Sequence, residues 1–291
     1  MILVDMNQVC ISNLMVTLTK TNEIEEDLIR HMVLNSLRLY RRKFKKDYGE
    51  LILCYDSKNY WRRRAFPYYK GTRKKDRQAS KHDWNAIFEF LNRIRDELKQ
   101  YLPYKVVEVD GAEADDVIAT LVKDQGQRNI RLQNNMQPAQ KILILSGDKD
   151  FIQLHKYPFV HQYNPIQKKF MNGVDPKTYI AEHIMKGDRS DGIPNFLSCD
   201  DTFVSGKRQR PLGKAKLSRF VDMAPEEFTD PTTREYYNRN KTLIDFDYIP
   251  EEVYDSILNT FENTTPSMRG KMYPYFIQNK LNDLLDNITD F

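Results

Sequence analysis

The chain reads as α/β: a central, mostly parallel sheet flanked by helices, followed by a helical C-terminal part. Three observations predict this. Short apolar, β-prone runs recur at Met1-Ile2-Leu3-Val4, Leu51-Ile52-Leu53-Cys54-Tyr55 and Ile142-Leu143-Ile144-Leu145, continuous rather than alternating, as in strands covered on both faces. Segments of helical periodicity lie between them, the order of a parallel sheet. Each run leads into acid, at Asp5, Asp56 and Asp148. If the strands are parallel, their carboxyl ends converge on one crevice, where such sheets bind ligands.

The elements follow in order. Ile24 to Tyr40 places Ile24, Leu28, Met32, Leu34 and Leu37 at helical spacing and runs on into Arg41-Arg42-Lys43. After the Leu51 strand, residues 58–81 hold ten Lys or Arg against one acid, Asp76. Trp84 to Leu102 is helical through Ile87, Leu91, Ile94 and Leu98; Tyr104 to Asp110 alternates like a strand, and Ala112 to Lys123 is a helix. Gln125 to Gln140, rich in Asn and Gln, reads as a surface loop. Phe159-Val160 and Phe170-Met171 flank a turn containing Pro165, like edge strands, and Thr178 to Lys186 is a helix ending at Gly187. Beyond Lys214, short helices are punctuated at Pro225, Pro231, Pro250 and Pro266. The expected division is an α/β unit at 1–186 and a helical part at 187–291.

Composition bounds the function. A chain of 291 residues with 40% hydrophobic content supports a substantial core, and a net charge of +4 says less than its distribution. Three cysteines, two of them in strand-like settings, suit a reducing compartment. The N-terminal apolar run stops at Asp5, too short for a signal-peptide core, and no stretch reaches membrane-spanning length; the expectation is a cytoplasmic protein without a membrane partner. Phosphate-loop, dinucleotide-binding and C-x-x-C motifs are absent from the sequence. The five His form no zinc pattern, and His155 and His161 read as packing or surface residues.

The acids carry the chemistry. Singly, an acid at a strand end is most often a helix N-cap or turn former. Collectively, Asp5, Asp56, Glu113, Asp115, Asp116, Asp148, Asp150, Asp188 and Asp191 are hard to dismiss. Glu113-Ala114-Asp115-Asp116 fans carboxylates from a helix start, Asp148-Lys149-Asp150 repeats the device after a strand, and Asp188 and Asp191 lie three apart. So many acids in one crevice repel one another, and divalent cations relieve this; all-oxygen donors favour Mg²⁺ or Mn²⁺ over zinc. Two ions about 3.5–4 Å apart need this many ligands.

These motifs resemble the 5′-nuclease superfamily of flap endonucleases and 5′→3′ exonucleases, whose fold is PIN-like, and most closely its T-even-type phage ribonuclease H group. The matching segments are Leu3-Val4-Asp5, Leu53-Cys54-Tyr55-Asp56, Tyr60-Trp61-Arg62-Arg63, Glu113-Ala114-Asp115-Asp116, Ser146-Gly147-Asp148-Lys149-Asp150-Phe151, Gln153-Leu154-His155-Lys156-Tyr157-Pro158 and Leu243-Ile244-Asp245-Phe246-Asp247-Tyr248-Ile249-Pro250. The resemblance spans essentially the whole chain. It implies two Mg²⁺ ions, replaceable by Mn²⁺: Asp5, Asp56 and Glu113 around the first, Asp115 and Asp148 in the shared region, and Asp116, Asp150, Asp188 and Asp191 supporting the second. The ions would activate water for in-line attack on a phosphodiester and stabilise the charge that develops.

It also implies that residues 58–100 form a basic arch over the site. There Tyr60, Trp61, Phe66, Tyr68 and Tyr69 interleave with Arg62, Arg63, Arg64, Lys70, Arg73, Lys74 and Lys75, a composition suited to stacking bases and holding phosphates. Lys70 and Arg73 are the expected electrostatic catalysts, beside the metal ligand Asp148. A helix-hairpin-helix-like element for duplex is expected after Gly192-Ile193-Pro194-Asn195, although Phe196 to Arg210 intervenes before Leu212-Gly213-Lys214-Ala215. Lys207, Arg208, Arg210, Lys214 and Lys216 are its expected phosphate contacts.

The expected activity is removal of RNA primers and 5′ flaps during phage DNA replication in a bacterial host. Substrates would be DNA, RNA·DNA hybrid duplex and 5′ flap or fork DNA, and the work would bring the chain beside other phage replication proteins. Two alternatives stand against this. A structure-selective endoribonuclease on a related acidic α/β fold needs neither the arch nor the helical part. A non-catalytic nucleic-acid-binding protein would lose affinity to so many unneutralised carboxylates.

Overall fold

The computed structural model describes residues 1–21 and 24–291, and side chains outside 19–23 and 74–76. In chain order the elements are β1 (Ile2–Asp5), α1 (Met6–Thr21), α2 (Glu26–Tyr48), β2 (Leu51–Tyr55), α3 (Trp61–Ala65), α4 (Arg73–Gln78), α5 (Trp84–Tyr101) and β3 (Lys105–Glu108). There follow α6 (Ala114–Asn134), β4 (Ile142–Leu145), a 3₁₀ helix at Lys149–Lys156, β5 (Val160–Asn164), β6 (Lys169–Phe170) and α7 (Pro176–Lys186). The remainder comprises α8 (Lys214–Phe220), α9 (Pro225–Phe228), α10 (Pro231–Ile244), α11 (Glu251–Asn263), α12 (Met272–Gln278) and α13 (Asn282–Leu285).

The sheet order is β3-β2-β1-β4-β5-β6, parallel except for the β5–β6 hairpin. β1, β2 and β4 are buried along their whole length, which is why they carry no polar alternation. The chain winds outward from β1 to β2 and β3, then returns to β4 on the other side of β1. That reversal is the switch point.

One face of the sheet is covered by α1, α2 and α5, through Leu14, Val33, Leu37, Phe90 and Ile94 among others, and by Phe276 and Phe291 from the chain's end. The other is covered by α6 and α11, with Phe246, Val253 and Ile257 packed among the α6 residues. A third cluster joins Phe66 and Tyr69 to α7, α8 and α10. Residues beyond position 186 pack on both faces of the sheet and contribute to the third cluster beside the crevice.

Two regions differ from their sequence reading. Gln125 to Asn134 is helix, not loop: Asn129 Oδ1 accepts from Gln125 Nε2 at 2.9 Å and from the Gln140 amide at 2.9 Å, so the buried amides satisfy one another. α1, which the apolar spacing after Asp5 had not suggested, follows β1 without a break. Within the region expected to arch over the site, α5 is the helix that the periodicity predicts, and it buries Ile87, Phe90, Ile94 and Leu98.

Candidate metal centre and nucleic-acid interface

The sheet delivers the first acids. Asp5 ends β1; its Oδ1 accepts from the Gln8 amide at 3.1 Å and its Oδ2 from Ser146 Oγ at 2.9 Å, across the switch point. Asp56 follows β2 and accepts from the Ala114 amide at 2.7 Å, at the start of α6. Asp148 caps the 3₁₀ helix by accepting from the Asp150 amide at 3.0 Å. Asp115 lies in the first turn of α6, facing this group.

Their electrostatics report mutual repulsion. Burial, then the Asp56 and Asp148 charges, raise the Asp5 carboxyl to about 6. Burial, then Asp150, Asp191 and Asp188, raise Asp148 to about 6. Asp115 is pushed well above the usual range too, by burial and then by Asp148, Asp5, Asp56 and Glu113. Glu113 is the exception: burial alone would raise it, but the Lys70 and Arg62 charges outweigh that and hold it below the usual range. A crowded set of hard oxygen donors, short of positive charge, fits divalent cations.

A second group adjoins the first. Asp150, His183 and Asp188 offer ligand atoms within 4.8 Å of one another. Asp188 also accepts from Ser190 Oγ at 2.7 Å and from the amides of Ser190 and Asp191. Asp191 takes Arg73 at 2.6 Å and the Tyr69 hydroxyl at 2.7 Å. Asp115, Asp150, Asp188 and Asp191 line one cleft with Arg62 and Tyr69.

The base of the basic segment is locked onto this group. The Lys70 amide donates to the Asp191 carbonyl at 2.7 Å, and Lys70 adopts a left-handed backbone, φ 55°. Gly192 permits the approach: its φ is 75°, and a Cβ there would lie 3.0 Å from the Tyr68 carbonyl oxygen and 3.5 Å from the Lys70 nitrogen. Lys70 Nζ then reaches Glu113 at 2.5 Å and Asp191 at 3.7 Å.

Three expected residues have other tasks. Asp116 is fully buried; its carboxylate accepts from the Glu113 amide at 3.0 Å, Trp61 Nε1 at 3.2 Å and Arg62 at 2.9 Å, so it caps α6 and anchors α3 rather than facing a cation. Arg62 is buried as well, bonded to Glu113, Asp116 and the Leu243 carbonyl, and cannot meet a substrate phosphate. Tyr69 is buried with its hydroxyl between Glu113 and Asp191, so it offers no face for base stacking. Arg63 and Arg64 are exposed, Arg63 over the Tyr60 ring. The Lys74 and Lys75 side chains lie outside the described residues.

Between α7 and α8, residues 187–213 form a long folded loop in place of a tight hairpin. Asn195 pins its base, donating to the Arg210 carbonyl at 2.8 Å and accepting from Ser198 Oγ at 2.7 Å; Arg239 holds the Pro194 carbonyl at 2.8 Å. Lys207, Arg208, Arg210, Lys214 and Lys216 are all exposed on or beside it, with Lys207 paired to Asp201 at 2.7 Å. Ser146 and His183 were missed from sequence. No local spacing marks His183, because its partners Asp150 and Asp188 come from two different segments.

Acids gathered at a sheet switch point, walled by lysine and arginine, define a cation-dependent phosphodiester hydrolase. Residues 1–184 match the family described as 5′-3′ exonuclease, N-terminal resolvase-like domain, and residues 175–291 match T4 RNase H, C terminal. The chain belongs to this 5′-3′ exonuclease family, in the branch that carries the T4 RNase H C-terminal region. It is 37% identical to the ribonuclease H of Enterobacteria phage T4, covering 99% of this chain and 95% of that one. A bacteriophage T5 protein co-crystallised with metal ions shares the fold at a TM-score of 0.61 and 17% identity, covering 90% of this chain and 97% of that chain. A T5 flap endonuclease in complex with DNA and metal ions superposes at 0.58, also at 17% identity, covering 90% of this chain and 99% of that chain.

Proposed function

We propose that the chain is a metal-dependent 5′→3′ nuclease with ribonuclease H and flap endonuclease activity, removing RNA primers and 5′ flaps in phage DNA replication, in the cytoplasm of a bacterial host. The observation that carries this is the convergence of Asp5, Asp56, Asp115 and Asp148 at the switch point, with Glu113 and Asp191 holding Lys70 and Arg73 at its rim. The family likeness supports the same reading.

Asp5, Asp56, Glu113, Asp115 and Asp148 would hold one cation, and Asp150, Asp188 and Asp191 would support a second; Mg²⁺ fits the donor set, and Mn²⁺ would replace it. When bound, the pair supplies an activated water and positive charge for the phosphodiester. The protein's own residues do the rest. Ser146 and the Gln8 and Ala114 amides fix the carboxylates, so that little reorganisation accompanies the reaction. Lys70 and Arg73 stand where charge accumulates on the scissile phosphate. Arg63 and Arg64, with Lys74 and Lys75, steer the single strand, while Lys207, Arg208, Arg210, Lys214 and Lys216 hold duplex.

The test is one assay of a 5′-labelled DNA flap and a primer RNA·DNA hybrid, with Mg²⁺ and with a chelator. Mg²⁺-dependent release of short 5′ products from both is expected. Binding without cleavage in Mg²⁺ and in Mn²⁺ would leave only a nucleic-acid-binding protein.

A further inference from the structure

We propose that His183 is a direct nitrogen ligand of the second cation position, making that position a mixed donor site that prefers borderline divalent metals such as Co²⁺ over Mg²⁺. The inference rests on the cation-dependent reading above and adds to it a residue outside the expected acidic set.

His183 Nε2 lies 3.2 Å from Asp150 Oδ1 and 3.7 Å from Asp188 Oδ2, and the three ligand atoms lie within 4.8 Å of one another. That nitrogen is buried yet makes no hydrogen bond of acceptable geometry. Buried polar atoms are nearly always partnered, and this nitrogen lies in ion-pair range of two carboxylates without a well-formed hydrogen bond to either, an arrangement that leaves room for a cation shared by all three. The ring is also held in place: it stacks on Tyr179 with centroids 5.5 Å apart and planes 22° from parallel. The turn that brings Asp188 back is fixed by the Gly187 amide, which donates to the His183 carbonyl at 2.9 Å. Imidazole is a softer donor than carboxylate and raises affinity for later first-row metals far more than for Mg²⁺, which demands oxygen.

The rival assignment is a protonated His183 acting as a counter-cation to Asp150 and Asp188. The two diverge in what replacement does. A lost ligand weakens metal binding; a lost counter-cation strengthens it.

The experiment titrates the full chain calorimetrically with Co²⁺ and, separately, with Mg²⁺, for the unaltered protein, His183→Gln and His183→Lys. His183→Gln should weaken Co²⁺ at one of two positions by at least about 10–100-fold, the loss typical of removing even a residue that only orients a metal ligand, and change Mg²⁺ by less than about 3-fold. His183→Lys should weaken both. A second measurement needs no variant: spin-echo modulation of Mn²⁺ bound to the unaltered protein should carry a nitrogen coupling, absent in His183→Gln. Undiminished or tighter Co²⁺ binding by His183→Gln, retention of unaltered affinities by His183→Lys, or Mn²⁺ without nitrogen coupling would overturn the assignment. Failure of the wider reading looks different: the unaltered protein would take up no divalent cation.

Discussion

Lys70 Nζ sits 2.5 Å from Glu113 Oε1 and 3.7 Å from Asp191 Oδ1, so the crevice contains an ammonium among its acids. Its side chain is mostly buried, and Asp191 and Glu113 push its pKa upward against the effect of burial. A lysine held charged and preoriented at small reorganisation cost suits charge that grows on a phosphate. Lys70→Ala should therefore lower single-turnover cleavage by about 10²–10³-fold, the loss typical of one preorganised electrostatic donor, with a much smaller change in Kd. If the entire loss falls on Kd, Lys70 only binds substrate.

The raised carboxyls set a pH dependence that cations should reverse. Asp5 and Asp148 titrate near 6 in the folded chain against an ordinary 3.8, so their protonated forms are favoured by folding. Their contribution is full below about 3.8 and is lost as pH rises through about 6. Glu50 runs the opposite way: Arg41 first, then Lys45, hold it near 2 against the effect of burial, so its contribution is present above about 4.5 and lost as pH falls through about 2. In chelator, the urea midpoint should fall between pH 4.5 and 7, and Mg²⁺ at pH 7 should restore it. Asp148→Asn keeps a capping side chain on the 3₁₀ helix, so it should flatten that fall while abolishing cleavage. Equal pH profiles with and without Mg²⁺, or undiminished turnover of the variant, would remove Asp148 from the metal set.

Arg62 was read from sequence as a substrate contact, yet it is buried against Glu113 and Asp116. Arg62→Ala leaves the buried Asp116 without its counter-charge and leaves Glu113 with Lys70 as its cation, and should cost about 3–5 kcal/mol of stability. Chemical denaturation measures this. Stability within 1 kcal/mol of the unaltered chain, together with weakened DNA binding, would return Arg62 to the substrate path.

That reversal marks where the sequence stops being legible. The strand-end acids were readable because short uninterrupted apolar runs bounded by turn residues suit buried strands, and Asp5 ends β1 while Asp56 and Asp148 follow β2 and β4. Within Arg62-Arg63-Arg64, however, nothing local distinguishes the inward side chain from its exposed neighbours; Asp116 and Glu113, more than fifty residues away, decide it. Gln125 and Asn129 misled in the same way. Their amides look like loop chemistry until Gln140 folds back to bond Asn129 and makes them helix interior. His183 lacked a local pattern because its partners, Asp150 and Asp188, come from two different segments.

The acids alone cannot set the direction of cutting. The arginine-bearing segment from Tyr60 to Arg73 is fixed beside the crevice through Lys70 and Asp191, whereas the basic loop and helix from Lys207 to Lys216 lie on the chain beyond Asn195. A single strand entering past Arg63 and Arg73 from its free end, with duplex held behind it, puts the scissile bond near the junction. A 5′ flap should then be cut close to its base. A bulky adduct on the free 5′ end should slow cutting more than one on the 3′ end. Replacing Lys207, Arg208 and Arg210 together with Ala should weaken duplex-containing substrates more than bare single strands, and reduce the salt dependence of duplex binding by up to about three phosphate contacts, one for each cation removed. Cleavage rates on end-blocked flaps and binding measured over a salt series decide this: equal sensitivity to the two blocks, or equal loss on single strands, would mean that the substrate runs another way across the crevice.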